Sequence, residues 1–539
     1  MKQFSIKANI FSFKSRRFEK SEIFVDNGVI SRIVPRETVD DLFIVPGFVD
    51  SHVHIESSML SPVEFAKAAL GNGVLGAVCD PHEIANVCGV SGVRFMKEMG
   101  DSVPFSFLFG APSCVPATSL ESSGAVLYSK DLEVLFNDKV ASFIGEVMNF
   151  PGVIYGDKKV LDIVALGEKY NVPVDGHAPG LSGDDLKKYI KAGVQTDHEC
   201  VSVEEALEKI SLGMKVLIRE GSAAKDFDAL CSLIKSNSAD VMVCTDDMHP
   251  DTLLSGYLKN TYLKAVAKGF DFADIFQVMS KNPVDFYGVD LGMLEVGDSA
   301  DFVVLSNLEK YSVSSVYYRG KDLLKDKVDV KADSVINNFN VDFISEADLK
   351  VENKSGLLKV IECTDGSLVT SILKVKPFVD NGYVVSDIDN DILKVVVVNR
   401  YCNSKPSVGF IKGVGLKKGA MVSSVSHDSH NIIACGVNDE LIAKAINLVI
   451  QNKGGIGFVD DDFDSFLPLP IAGLMSDLPC ADVAKKYVEV DLLAKKAGSA
   501  LGAPYMTLAF MSLLVIPEIK IGDRGLFDFN TFNFTSLFE

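Results

Sequence analysis

Eight times between residues 48 and 249 the chain passes through a short apolar, β-prone run and then turns polar at once. Five of these runs carry histidine: FVDSHVH (48–54), GAVCDPHE (76–83), VPVDGHAPG (172–180), VQTDHE (194–199) and VMVCTDDMH (241–249). Three have the same form without it: FSFLFGAPS (105–113), ASFIGEVMN (141–149) and KVLIREGS (215–222). Each is read as a strand. The segments between them space their apolar residues at helical period over Asp157–Tyr170, Ser182–Ala192, Ser202–Leu212 and Ala224–Lys235. Ser61 followed by Pro62 marks the start of a further helix that runs to Asn72. Strands alternating with helices over roughly 200 residues predict an α/β fold, a (β/α)8 TIM-type barrel.

The flanks read differently. FSIKANIFSF, SEIFVDNGVISRIV and LFIVPG come before the barrel, and GMLEVGDSADFVVLS and VSSVYYRGK follow it. These are short strands broken by Gly and Asp turns. Residues 1–46 and 289–331 are therefore expected to form one small β domain built from both sides of the barrel, which takes residues 47–288. A third unit is expected from Ala332 to residue 539, with strand runs, a helix near Asn438–Asn452 and a final apolar segment. It reads as a C-terminal α/β domain.

Composition narrows the function classes. The formal charge of −20 argues against nucleic acid and anionic membrane surfaces as partners and leaves small or neutral ligands. The apolar stretch from Ala503 to Ile516 is bounded by Pro504 and Pro517 and is too short to span a bilayer. The basic N-terminus has no apolar run behind it, so no secretory signal is expected. Ten scattered cysteines without a CxxC pair are read as reduced thiols of a cytoplasmic protein.

Only eight histidines occur, and six of them fall between residues 52 and 249. A lone histidine on an apolar strand is more often packed than functional. The ordered set changes that weighting. His52 and His54 alternate on one strand, so both imidazoles can point into the barrel mouth. His177, His198, Glu146 and Asp246 come from other strand ends. Four imidazoles and two carboxylates suffice for a pair of metal ions with one bridging carboxylate. Mixed N and O donors suit Fe, Mn or Zn. Asp246 is a candidate to take a proton from an activated water, and Asp247 could exchange roles with it.

This pattern resembles the amidohydrolase superfamily. VPGFVDSHVHIESSML, CDPHEIANV, FIGEVMNFPGV, DGHAPGLSG, TDHE, IREGSAAK, TDDMHPDTLL, SHDSHNI, LPLPIAGLMSD and YMTLAFMSLLVIPEIKI are similar to the bacterial adenine deaminase family. The resemblance runs from about residue 20 to about residue 527. It implies hydrolysis of adenine to hypoxanthine and ammonia, in purine salvage, at a binuclear Mn2+ or Fe2+ centre, with Zn2+ as a third candidate. Carried over by motif, His52, His54 and Asp246 would hold one metal and His177 and His198 the other. The strand-four run has no lysine, so Glu146 would bridge. Asp246 would relay the proton to the departing amino group, and Glu83 and Glu199 are candidates to protonate the ring. His82, Arg219, His249 and His430 are the expected substrate contacts. For His82 and His249 orientation of the ligands competes with that role, and Ser222 is read as a helix cap. His427 and His430 would reach over the barrel mouth from the third unit. A homo-oligomer is expected. The alternatives are another amidohydrolase reaction, on a different aminopurine, a pyrimidine or a cyclic amide, and an inactive binding protein on the same fold. HIESSM, DPHEIANV and the third unit speak against the first, and the filled ligand positions speak against the second.

Overall fold

Eight parallel strands curl into one barrel in the computed structural model, which describes residues 3–222, 224–326, 328, 330–331 and 334–539. They are β1 (Phe48–His54), β2 (Val74–Cys79), β3 (Ser106–Ala111), β4 (Phe143–Val147), β5 (Val174–Gly176), β6 (Thr196–Asp197), β7 (Lys215–Arg219) and β8 (Val241–Cys244, resuming at Asp246–Asp247). Every residue of β1 and β2 is buried; β2 is accordingly a continuous apolar run, whereas β1 buries Asp50, Ser51, His52 and His54 at the barrel mouth. Neighbours pair in sequence order, and the ring closes where Asp246 and Asp247 pair with Val53 and His54. Between β5 and β6 the ladder is interrupted, and the two strands belong to separate sheets. There the Gln195 N–H donates to the Val174 carbonyl at 2.9 Å, and the Gly176 N–H to Thr196 Oγ1 at 3.1 Å.

The expected helices form at Pro62–Gly71, Lys158–Tyr170, Gly183–Lys191 and Val203–Ser211. Ser61, Asp157 and Ser202 each cap one of these helices with a side-chain oxygen. Two segments differ from expectation. The run 76–83 is strand only as far as Cys79, and His82 and Glu83 open a helix, His82–Asp101. Pro81 has no N–H for a ladder, so the strand stops before it. The single helix expected over Ala224–Lys235 is two short turns, Phe227–Leu230 and Leu233–Ser236. Arg219 Nε holds Asp226 Oδ2 at 3.1 Å, which draws the start of this segment toward the barrel mouth.

Strands from both flanks share one seven-stranded sheet. Its central pairing joins Phe43–Pro46 to Phe302–Asn307, antiparallel, so residues before and after the barrel are stitched together. Beyond lies an eight-stranded sheet with the helix Asp439–Asn452 against it, capped by Asn438, and with Cys480–Lys496 and Pro504–Phe510 nearby. The expected start of this unit, Ala332, lies outside the described residues. Among the described residues no helix is long and apolar enough to cross a membrane.

This unit packs on the barrel mouth. The Ser476 N–H donates to the Met59 carbonyl at 2.8 Å, and the Cys480 N–H to Glu64 Oε2 at 3.1 Å. His427 and His430 of this unit likewise reach Glu83, next to the strand ends where the histidines cluster.

Candidate metal centre

Six side chains converge at the C-terminal ends of the barrel strands. The Nε2 atoms of His52 and His54 lie 3.2 Å apart. Asp246 Oδ1 is 3.1 Å from His54 Nε2 and 3.7 Å from His52 Nε2. Glu146 sits at the middle. Its Oε1 is 3.3 Å from His54 Nε2, and its Oε2 is 2.8 Å from His177 Nδ1 and 3.2 Å from His198 Nε2. Asp246 holds a left-handed backbone angle, φ 59°, where β8 breaks after Cys244. Among non-glycine residues aspartate is one of the few that adopts this conformation readily, and here it turns the carboxylate toward the imidazoles. Asp247 turns instead to Ser57, whose hydroxyl donates to it. Geometry thus separates the two aspartates.

Local supports explain the orientations. His54 Nδ1 donates to the Asp80 carbonyl at 3.0 Å, which leaves Nε2 free to face the cluster. The Glu146 N–H donates to Asp80 Oδ2 at 2.7 Å. That contact needs Gly145, since a Cβ there would meet the same oxygen at 2.4 Å. His52 Nδ1 lies 4.0 Å from Asp175 Oδ2, and Asp175 is anchored by Thr196 and Tyr287. Asp50 accepts from the Thr245 N–H at 3.1 Å and from the Tyr257 hydroxyl at 2.6 Å. These buried aspartates were not singled out from the sequence. Their signal was nonetheless in the repeated shape, because VDSH, CDPH, VDGH and TDH each place an aspartate one or two residues before a histidine.

The electrostatics follow from burial and proximity. Burial holds His52 well below its ordinary range. His54 is raised despite burial, because Asp246 and Glu146 stabilise its cation. Burial opposes ionisation of Glu146 and Asp246 as well, but the surrounding imidazoles keep Glu146, and His54 with Arg219 among others keeps Asp246, well below the usual carboxylate range. His198 Nε2 is buried and has no hydrogen-bond partner. The nearby donors fall into overlapping groups, His52 with His54 and Asp246, His52 with Glu146 and His198, and His177 with His198 and Glu199. An orphaned buried imidazole nitrogen aimed into a set of N and O donors fits a divalent metal.

The remaining candidates divide. Glu199 is gripped by both terminal nitrogens of Arg219, and Arg219 Nη1 also reaches Asp246 Oδ2 at 3.0 Å. The His82 ring lies 4.6 Å from that of His54, with Nδ1 3.5 Å from Glu146 Oε1. Glu83 lies behind His82, 3.6 Å from its Nε2, and meets His427 and His430 of the third unit. His249 turns away toward the Tyr487 hydroxyl at 2.8 Å. Burial lowers His249 to about 4, so it is neutral. It lines a cavity at the seam together with Ser57, Met59, Val425, His427 and Met506. The Ser222 hydroxyl accepts from the His249 N–H at 2.9 Å, so it ties β7 to the segment after β8 instead of capping the helix that follows it.

The chain is similar to known proteins over nearly its whole length. Residues 43–323 match the model of the amidohydrolase family, and residues 367–533 match the adenine deaminase C-terminal domain. The chain is 45% identical to an adenine deaminase of Salinibacter ruber, covering 99% of each chain. It is 45% identical to one of Sulfurovum sp., covering 98% of each, and 42% identical to one of Parabacteroides distasonis, covering 99% of this chain and 98% of that one.

Proposed function

The chain belongs to the adenine deaminase family of amidohydrolases, and from that membership we propose that it hydrolyses adenine to hypoxanthine and ammonia. The observation that carries this reading is the match to adenine deaminases over nearly the whole chain, third unit included.

The family carries a divalent metal centre. In the proposed form it is binuclear and takes Mn2+ or Fe2+, with Zn2+ as a third candidate. His52, His54 and Asp246 would hold one ion, His177 and His198 the other, and Glu146 would lie between them; the shared position of Glu146 supports this. Divalent ions in that place lower the pKa of a coordinated water toward neutrality.

The chain's own residues handle the protons. Asp246 keeps Oδ1 toward the imidazoles and Oδ2 on Arg219, which supports its role as acceptor of the proton that water gives up as it attacks C6. The same carboxyl then delivers that proton to the departing amino group. Of the two ring-side acids, Glu83 is favoured. Its partners are imidazoles, which outweigh burial and hold the Glu83 carboxyl well below the usual carboxylate range, while His427 is raised to about 9, its burial outweighed mainly by that carboxylate; the proton for the ring would come from His427 through Glu83. Glu199 is locked to a guanidinium, which releases none. His82, standing between Glu83 and the metal ligands, is the favoured contact to the purine. Arg219 aligns Asp246 and Glu199, and His249 contributes to the cavity wall. A cytoplasmic setting in purine salvage and a homo-oligomer belong to the same proposal; ten free cysteines support a reducing compartment.

The test is ammonia release from adenine by purified, Mn2+-loaded protein, run beside Asp246→Asn. The wild type is expected to release ammonia and the variant to lose about 100-fold or more in rate. No release by wild type with two divalent ions bound per chain would overturn the substrate assignment.

A further inference from the structure

We propose that His427 and His430 are positioning residues that fix the Glu83 carboxylate beside the metal centre, so that the third unit completes the active site; this rests on the adenine reading above. Glu83 lies in the first turn of the helix His82–Asp101 and is 2% exposed. Both of its oxygens are engaged from the other side of the seam. His427 Nδ1 lies 2.8 Å from Oε1, and His430 Nε2 meets Oε2.

The hydrogen-bond network fixes the form of His430. Its Nδ1 accepts from the Ser426 N–H at 3.4 Å, so Nε2 carries the proton that it donates to Glu83. The His427 ring is held in turn by stacking on Phe510, centroids 4.5 Å apart and planes within 15°. Two imidazoles from one segment thus meet a single carboxylate in two different ways, one charged and one neutral.

A seam that served only to hold two units together would gain more from apolar packing than from a buried carboxylate and two imidazoles, whose desolvation opposes their attraction. The location also argues for function. Glu83 touches His82, and the other ring nitrogen of His82 faces Glu146 at 3.5 Å. His427 lines the seam cavity. A side chain in that place has to hold one rotamer to meet a ligand, and among the described residues the side-chain hydrogen bonds that hold Glu83 come from His427 and His430.

The experiment is a double-mutant cycle on the Mn2+-loaded full-length enzyme, with Glu83→Gln, His430→Ala and the pair combined, and with His430→Gln as the conservative variant. Metal content, melting temperature, kcat and KM for adenine are measured for each. His430→Ala is expected to lose about 100-fold in kcat with KM little changed and two metal ions retained. His430→Gln, which keeps an N–H donor, is expected to recover most of that loss. The combined variant is expected to be no slower than Glu83→Gln alone, because the histidine acts through the glutamate. Wild-type kcat in His430→Ala, or a combined loss equal to the product of the single losses, overturns the positioning role while leaving the substrate reading intact. Should His430→Ala fail to fold, the cycle of His427→Gln with Glu83→Gln applies the same criterion. No ammonia from adenine by the wild type overturns the substrate reading, and this role with it.

Discussion

Replacing Lys209 with methionine is expected to destabilise the barrel by about 3–5 kcal/mol, the cost of breaking a buried ion pair from one side. Lys209 has 0% exposure and lies on the helix Val203–Ser211. Its ammonium donates to the Ala178 carbonyl at 2.8 Å, to Asp197 Oδ2 at 2.8 Å and to Glu205 Oε1 at 2.7 Å, so all three protons are used. Asp197 is also 0% exposed and accepts from the Ala178 N–H at 2.8 Å. Burial pushes its carboxyl up, and Lys209, followed by His198, brings it below the ordinary range. Methionine fills much the same volume but leaves Asp197 charged without its counter-ion, or forces it to take a proton. The assay is urea unfolding of the metal-loaded enzyme followed by tyrosine fluorescence, which the 14 tyrosines and absence of tryptophan make convenient. With a slope of about 3 kcal/mol per molar urea, the midpoint should fall by about 1–1.7 M. Adding Asp197→Asn to Lys209→Met should restore more than half of that fall, because the stranded charge is then gone. A Lys209→Met midpoint within about 0.2 M of wild type would refute the reasoning, and so would a double variant weaker than the single one.

Three further outcomes are expected. Lys520 is 0% exposed and donates to the Leu368 carbonyl at 2.7 Å, and burial pushes its ammonium down to about 7. Between that value and the unfolded value near 10.4 the unfolded chain binds more protons, so stability should rise with pH across this window, with the full penalty present below pH 7. Lys520→Met should therefore gain on the order of 3 kcal/mol at pH 6 relative to its effect at pH 10, read from urea midpoints at the two pH values; equal effects would contradict the shift. In Gly145→Ala the new methyl would meet Asp80 Oδ2 at 2.4 Å, displacing the carboxylate that holds the Glu146 N–H, and metal content by elemental analysis should fall below wild type. Chelation of the divalent ions should abolish ammonia release and lower the melting temperature, and Mn2+ at about 100 times its dissociation constant should restore about 2.7 kcal/mol of stability.

The barrel was legible because its strands are buried on both faces and its helices carry their own stop and start residues. Ser61, Asp157 and Ser202 cap helices within a residue of where the chain pattern puts them. The flank sheet was legible as short strands, but its pairing of Phe43–Pro46 with Phe302–Asn307 spans the entire barrel and leaves no periodic trace. The clustered histidines could be read from alternation on β1 and from their recurrence at strand ends. What failed locally was the helix over 224–235. Its apolar spacing is helical, but Asp226 is claimed by Arg219 before a helix can start. Periodicity records which face a side chain takes, not which distant charge competes for it.

The same limit explains why the supports of the site were hidden while its ligands were not. A ligand must sit at a strand end, and a strand end is a feature of the local sequence. A support only has to reach the ligand, and it can come from anywhere in the chain. Asp80 supports Glu146 from 66 positions away, Tyr257 holds Asp50 from 207, and His430 holds Glu83 from 347. In the last case the two partners lie on different folding units; HDSH by itself reads as a polar loop, and it was the family resemblance that put His427 and His430 over the barrel mouth. Its burial changes the meaning. Histidine and aspartate, with exposures of 1–5% across residues 427–430, are far costlier to bury than apolar residues of similar size. That cost is tolerable only where the polar groups meet partners, and the partner His427 and His430 meet is Glu83. Loss of the third unit should therefore strand a carboxylate beside the metal ligands rather than merely uncover a face of the barrel.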